Sequence, residues 1–183
     1  DGFVEYGTSF LLFCSSALLF WRFIKFFSKK KLLWKIGILG MALVFLFGAG
    51  EEISWGQRIF NVESSEYFLE NNAQGETNLH NMVVDGKKIN KIIFSQLLTA
   101  VLVLYLLITP FLYRKFKPIK KLADSFAIPI VKWHQTIAFL ICTGLLIFMG
   151  SDRKWELYEL AFGVIFLLIF LKPFNKKIYS VNL

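Results

Sequence analysis

Two blocks of this chain gather the side chains that could do chemistry. "GEEISWGQRIF" sets Glu51 and Glu52 side by side, then brings Trp55, Gln57 and Arg58. "NAQGETNLHN" holds Glu76, Asn78, His80 and Asn81, and "DRKWELYEL" adds Glu156 and Glu159. Carboxylates with one imidazole suit two chemistries. Oxygen ligands with a histidine can hold a divalent metal, which activates water or polarises a phosphoryl or acyl oxygen. Close carboxylates can instead form a general acid–base pair without metal. Both alternatives stay open at this level.

Spacing sharpens the assignment. Glu76 and His80 are i and i+4, so they share a helical face if Gly75 opens a helix. They are the candidate metal ligands or proton-transfer groups. Glu156 and Glu159, at i and i+3, also share a face. The candidate catalytic set is therefore Glu51, Glu52, Glu76, His80, Glu156 and Glu159. Arg58 is the candidate anion holder, because a guanidinium fits a phosphate or carboxylate. Gln57, Asn78, Asn81 and Trp55 are candidate substrate contacts. Taken singly, each acid reads as a solvated or ion-paired glutamate, with Arg58, Arg153 and Lys154 as partners; the convergence of separate segments carries the site. HExxH, GxSxG, the P-loop pattern and GxGxxG are absent, so no well-marked reaction class is indicated.

The elements that must position these groups are membrane helices. The 183-residue chain is 56% hydrophobic and 17% aromatic, with a mean hydropathy of +0.55. The apolar residues fall in long blocks, and about 20 helical residues cross a hydrocarbon core of ~30 Å. Five spans are expected, at 6–27, 32–50, 92–113, 131–150 and 155–171, within one transmembrane domain covering 1–183. A long loop, 51–91, follows the second span and is expected to carry short interfacial helices. The fold class is an all-α polytopic bundle. Cys14 and Cys142 lie inside apolar runs and read as small packing residues. Gln96 and Thr99 read as interhelical hydrogen-bonding residues, and His134 lies at the other end of the bundle from the acids.

Charge sets the topology. The net charge of +8 comes from lysines clustered at the ends of apolar blocks, which is orientation signalling rather than a nucleic-acid footprint. Lys25, Lys29, Lys30, Lys31 and Lys35 separate spans one and two. Arg114, Lys115, Lys117, Lys120 and Lys121 separate spans three and four, and Lys172, Lys176 and Lys177 follow span five. These segments are expected in the cytoplasm, with the C-terminus. Trp21, Trp34, Tyr113 and Trp133 mark that side; Tyr6, Trp55, Trp155 and Tyr158 mark the other. Span one then starts outside, so a sixth span is expected upstream in the intact protein. Glu159 is drawn toward the hydrocarbon boundary, where a carboxylate costs on the order of 2–3 kcal/mol unless it pairs or faces protein and water.

The two motif blocks resemble those of a group of bacterial polytopic inner-membrane proteins, in which a similar EEISWGQR segment ends one span and a similar QGE-x-NLHN segment follows. The likeness covers residues 48–82 and extends more loosely to the start of the chain and to "WELYELAF". It implies family membership only, and assigns no activity; the expected location is the bacterial cytoplasmic membrane. The expected function is a hydrolase or transferase acting on a lipid or membrane-proximal substrate at the outer leaflet. The alternative is an accessory subunit docking other membrane proteins. A transporter ranks last, since the spans hold no mid-membrane carboxylate.

Overall fold

A computed structural model describes residues 2–84, 87–88, 96–150 and 153–180. Among the described residues the regular structure is helical, apart from a two-residue antiparallel pairing of Val83–Val84 (β1) with Lys87–Lys88 (β2) and an isolated bridge of Asn72 with Met82. The helices are α1 (Phe3–Phe26), α2 (Leu32–Glu52), α3 (Gln57–Phe60), α4 (Glu66–Asn71), α5 (Leu98–Val103), α6 (Thr109–Lys115), α7 (Lys117–Ser125), α8 (Trp133–Phe148) and α9 (Lys154–Leu171). A π-helical stretch, Leu104–Ile108, joins α5 to α6 into one rod. Among the described residues, three stretches are long and apolar enough to cross a membrane: Phe3–Lys29, Leu32–Glu52 and Leu98–Lys115.

The differences from the expected spans have local causes. Val131 and Lys132 stay outside the helix, with Lys132 extended, and Met149 is extended too, so α8 keeps 16 residues. At 1.5 Å per residue that is about 24 Å. The first turns of α9 carry Lys154, Glu156 and Glu159. α2 runs through Glu52, so both carboxylates stand on its last turn. The segment between α6 and α8 forms α7, a short amphipathic helix whose Pro118 suits its first turn. The expected start of span three at Ile92, and Ser151 and Asp152, lie outside the described residues.

α1 is the central element. Ser9 Oγ donates to the Ala49 carbonyl at 2.7 Å and Ser16 Oγ to the Ala42 carbonyl at 2.8 Å, which fixes α1 antiparallel to α2. On another side Gly7 meets Leu160 and Leu11 meets Gly163, so α1 and α9 run parallel. α8 returns along α9, with Thr143 and Tyr158 hydroxyls 2.6 Å apart and the Phe139 and Phe162 rings in contact. Leu19, Ile38, Ala42, Leu106, Ile165, Ile169 and Phe170 form the buried centre.

This arrangement gives the bundle two unlike ends. α1 and α9 begin, and α2 finishes, at an acidic end. At the opposite, basic end the chain is tied down by buried polar contacts. Trp34 Nε1 donates to the Ile178 carbonyl at 3.0 Å, and Tyr179 Oη to the Ala127 carbonyl at 2.7 Å. Asn175 accepts from the Ile130 amide at 2.8 Å and donates to Asp124 at 2.9 Å.

Candidate functional site

The acidic end is built on an abrupt helix stop. After Glu52 the backbone passes through Ser54, Trp55 and Gly56 with φ of 47°, 54° and 77°. Consecutive left-handed residues cannot continue a right-handed helix, and non-glycine residues there cost of order 1 kcal/mol or more each. Side-chain bonds offset that strain. Ser54 Oγ donates to Glu76 Oε2 at 2.8 Å and accepts from Asn78 Nδ2 at 2.9 Å. Trp55 Nε1 donates to Glu51 Oε1 at 2.8 Å, four residues back.

The second motif block folds onto this stop. Residues 75–81 form turns rather than a helix, because Gly75 takes φ +68° and the Asn72 and Asn78 side chains bind nearby backbone. The expected shared helical face of Glu76 and His80 is therefore not formed, and the two go to different partners. Glu76, 6% exposed, is ion-paired to Arg58 and also accepts from Ser54 and Asn78. Arg58, expected to hold a substrate anion, is paired with this internal carboxylate and keeps half of its side chain exposed. Gln57 donates to Ser64 and accepts from the Thr77 amide at 2.8 Å, so it ties the two blocks together. Asn78, 1% exposed, is wholly internal. Trp55 is half exposed, edge-on to Phe47.

Glu51 is the hinge between helix and loop. Buried to 4% exposure, it accepts the Leu79 amide at 2.7 Å and the His80 amide at 3.0 Å on Oε2, which also lies 3.5 Å from His80 Nδ1. The other ring nitrogen, Nε2, lies 3.1 Å from Asn81 Nδ2, which also donates to Gln74. An amide donor at Nε2 and a carboxylate at Nδ1 select the tautomer with the proton on Nδ1. Burial by itself would lower the His80 pKa. The ring's hydrogen bond to Glu51 and the charges of Glu52, Glu51 and Glu159 outweigh burial and hold it above its usual value.

Around this imidazole stand acids from two helices. Glu52 is within electrostatic range of Glu159, His80, Glu5 and Glu51. Helix register explains the pairing. Phe45 packs edge-on against Phe166 at 5.2 Å between α2 and α9. Glu52 lies seven residues after Phe45 and Glu159 seven before Phe166, so in these antiparallel helices both carboxylates stand two turns above the same contact. Glu156 is turned away into a pair with Arg153 at 3.2 Å. The acidic end thus brings Glu51, Glu52, His80 and Glu159 together and leaves Glu76, Arg58 and Glu156 in separate pairs. Among the described residues, no three His, Cys, Asp or Glu side chains are grouped to hold a metal ion.

Glu5, at the start of α1, also acts electrostatically on Glu52 and Glu159, while its carboxylate accepts the Gly2 amide at 2.6 Å. Ser54, Ser64 and Asn72 form the buried frame of the loop. Their small polar types following a hydrophobic helix were the available signal, yet nothing in their spacing says what they bind. An apolar cavity of about 460 Å³ opens beside the site, with Tyr6, Phe10, Phe13, Leu46, Trp55 and Phe60 in its wall. Trp55 joins the two, with one face on the cavity and its indole N–H on Glu51.

The chain matches no family model, no curated protein and no solved structure.

Proposed function

We propose that the acidic end is the reaction face of a membrane-embedded hydrolase or transferase acting on a lipid or lipid-linked substrate. The observation that carries this reading is the Glu51–His80 contact. A buried carboxylate orients an imidazole and sets its tautomer, which is what a proton-transfer residue needs. With the Asn81 amide displaced from it, His80 Nε2 takes the proton of an attacking water or hydroxyl as that oxygen bonds to the acyl or phosphoryl centre, and returns the proton to the leaving-group oxygen as its bond to that centre breaks, while Glu51 stabilises the imidazolium in between. Glu52 and Glu159 lie within electrostatic range of the ring, and either of them, when ionised, favours its protonated form. The apolar cavity beside Trp55 is sized for part of a hydrocarbon chain. The basic end is read as cytoplasmic by the positive-inside rule, which puts the site at the outer leaflet, with α8 and α9 as the fourth and fifth spans. The motif blocks support membership of the bacterial inner-membrane group they resemble.

The test compares lipid extracts from cells producing the wild-type chain, His80→Ala and Glu52→Gln by mass spectrometry. A lipid or lipid-linked species that accumulates or vanishes with wild type, and is changed by a hundredfold or more less turnover in His80→Ala, supports the reading. Identical profiles in all three overturn it.

One observation favours the accessory-subunit reading. The rim of the loop exposes Ile59, Phe60, Val62, Tyr67 and Leu69, each more than half exposed. A row of apolar side chains of this kind marks a protein or membrane contact. Cross-linking from these positions to a defined second membrane protein, with unchanged lipid profiles, would establish that reading instead.

A further inference from the structure

The basic end carries an interaction surface that the acidic-end chemistry does not use. Fifteen of the twenty-one Lys and Arg residues lie there. Among the described residues Asp124 is the one carboxylate facing them, and it is already bonded to Tyr113 at 2.8 Å and to Asn175 at 2.9 Å. The patch therefore has almost no internal counter-charge. Its centre is α7. Asp124 ties α7 to α6 through Tyr113, Ala123 is buried, and the Phe126 carbonyl abuts Gly37 of α2. The remaining face projects Lys117, Lys120 and Lys121, all exposed, beside Phe116 at 45% and Leu122 at 56% exposure. Arg114 adds a guanidinium 4.5 Å from the Trp133 ring and 4.1 Å from Phe174. Deeper in, Arg22 is 8% exposed, stands 4.1 Å over the Tyr179 ring, and its Nη1 makes no hydrogen bond.

We propose that this end binds anionic phospholipid headgroups, with α7 lying in the headgroup layer. The lysines meet lipid phosphates, while Phe116 and Leu122 enter the upper acyl region. Interleaved apolar and cationic exposure at the level where the long helices finish fits a charged lipid surface. A soluble acidic protein would leave the apolar side chains without a partner. The negative surface also lowers the cost of burying Arg22, which has no carboxylate beside it among the described residues.

The test places the full chain in nanodiscs of phosphatidylcholine, with and without about one third phosphatidylglycerol, and reads thermal unfolding. Phosphatidylglycerol is expected to raise Tm by about 3–6 °C. Combined Lys117→Gln, Lys120→Gln and Lys121→Gln is expected to lose half or more of that rise. The Lys→Arg triple keeps it, and Lys154→Gln at the acidic end keeps it. No rise in wild type, or an undiminished rise in the Gln triple, overturns the proposal. An equal rise from inorganic phosphate or polyglutamate added to phosphatidylcholine discs also overturns it, and assigns the surface to a free anion or an acidic protein.

Discussion

Glu51 grips His80 at two points: its Oε2 accepts the backbone N–H at 3.0 Å and lies 3.5 Å from Nδ1 of the ring. A residue at the end of a membrane helix thus fixes both position and tautomer of a loop imidazole. Replacing Glu51 by Gln keeps the shape and removes the charge. We expect Glu51→Gln to lower stability by about 1–3 kcal/mol, because buried amides lose a charged acceptor. Hydrogen exchange should quicken at residues 79–80 before it does in α1 or α9. Unchanged protection there would refute the role given to Glu51.

The same contact sets a pH dependence. The folded-state pKa of His80 is raised above 6.5, so its protonated form is the one the fold favours. The stabilisation is whole at pH below that ordinary value and fades as pH rises through the raised one. Tm of the wild type should therefore fall on the alkaline side of 6.5, and His80→Gln should flatten that slope. An NMR titration of the imidazole gives the direct check: a midpoint at or below the ordinary value is the contrary result.

Glu76 and Arg58 should respond unequally to truncation. Glu76→Ala strips the acceptor from Ser54, Asn78 and Arg58 together, two of these groups being buried. A loss of about 3 kcal/mol is expected. Arg58→Ala leaves Glu76 its bonds to Ser54 and Asn78, and half of the Arg58 side chain is in solvent. Its cost should be about 1 kcal/mol. Chemical denaturation of both single variants and the double variant would measure the difference, and equal costs would contradict this account of the frame.

Gly37 should be intolerant and Gly144 tolerant. A Cβ at Gly37 would run into the Phe126 carbonyl, so α7 must move off α2. Gly37→Ala is expected to cost about 2–3 kcal/mol or more and to reduce yield of folded protein. A Cβ at Gly144 meets nothing within 4 Å, and Gly144→Ala should be neutral or stabilise α8 by about 0.5–1 kcal/mol. Size-exclusion profiles and Tm distinguish the two.

How much of this was legible in the letters varies with the kind of force involved. The first two spans were expected at 6–27 and 32–50 and lie at Phe3–Phe26 and Leu32–Glu52, since long apolar runs bounded by lysines leave little choice. The α7 segment reads in the sequence as a run of cations separating spans three and four. Its apolar positions Ile119, Leu122 and Ala123 follow helical spacing, but over nine residues that pattern is faint beside five nearby cations. The loop was harder. Glu76, Asn78 and Arg58 stood out by type, and their bonds depend on three left-handed residues that sequence spacing does not announce. The i, i+4 relation of Glu76 and His80 suggested a helix, and Gly75 with two asparagine side chains made turns instead. The approach of Glu52 to Glu159 follows from the register of α2 against α9, which the ring contacts of Phe45 with Phe166 and Phe170 reveal and the sequence does not.

That contact has a mechanical consequence. Two turns of helix, about 10 Å, separate the ring pair from the carboxylates above it. The rings act as a fulcrum, and a small rocking of α9 against α2 about them opens or narrows the gap between Glu52 and Glu159. A push on Phe45 or Phe166 would thereby change the spacing of the charges two turns away.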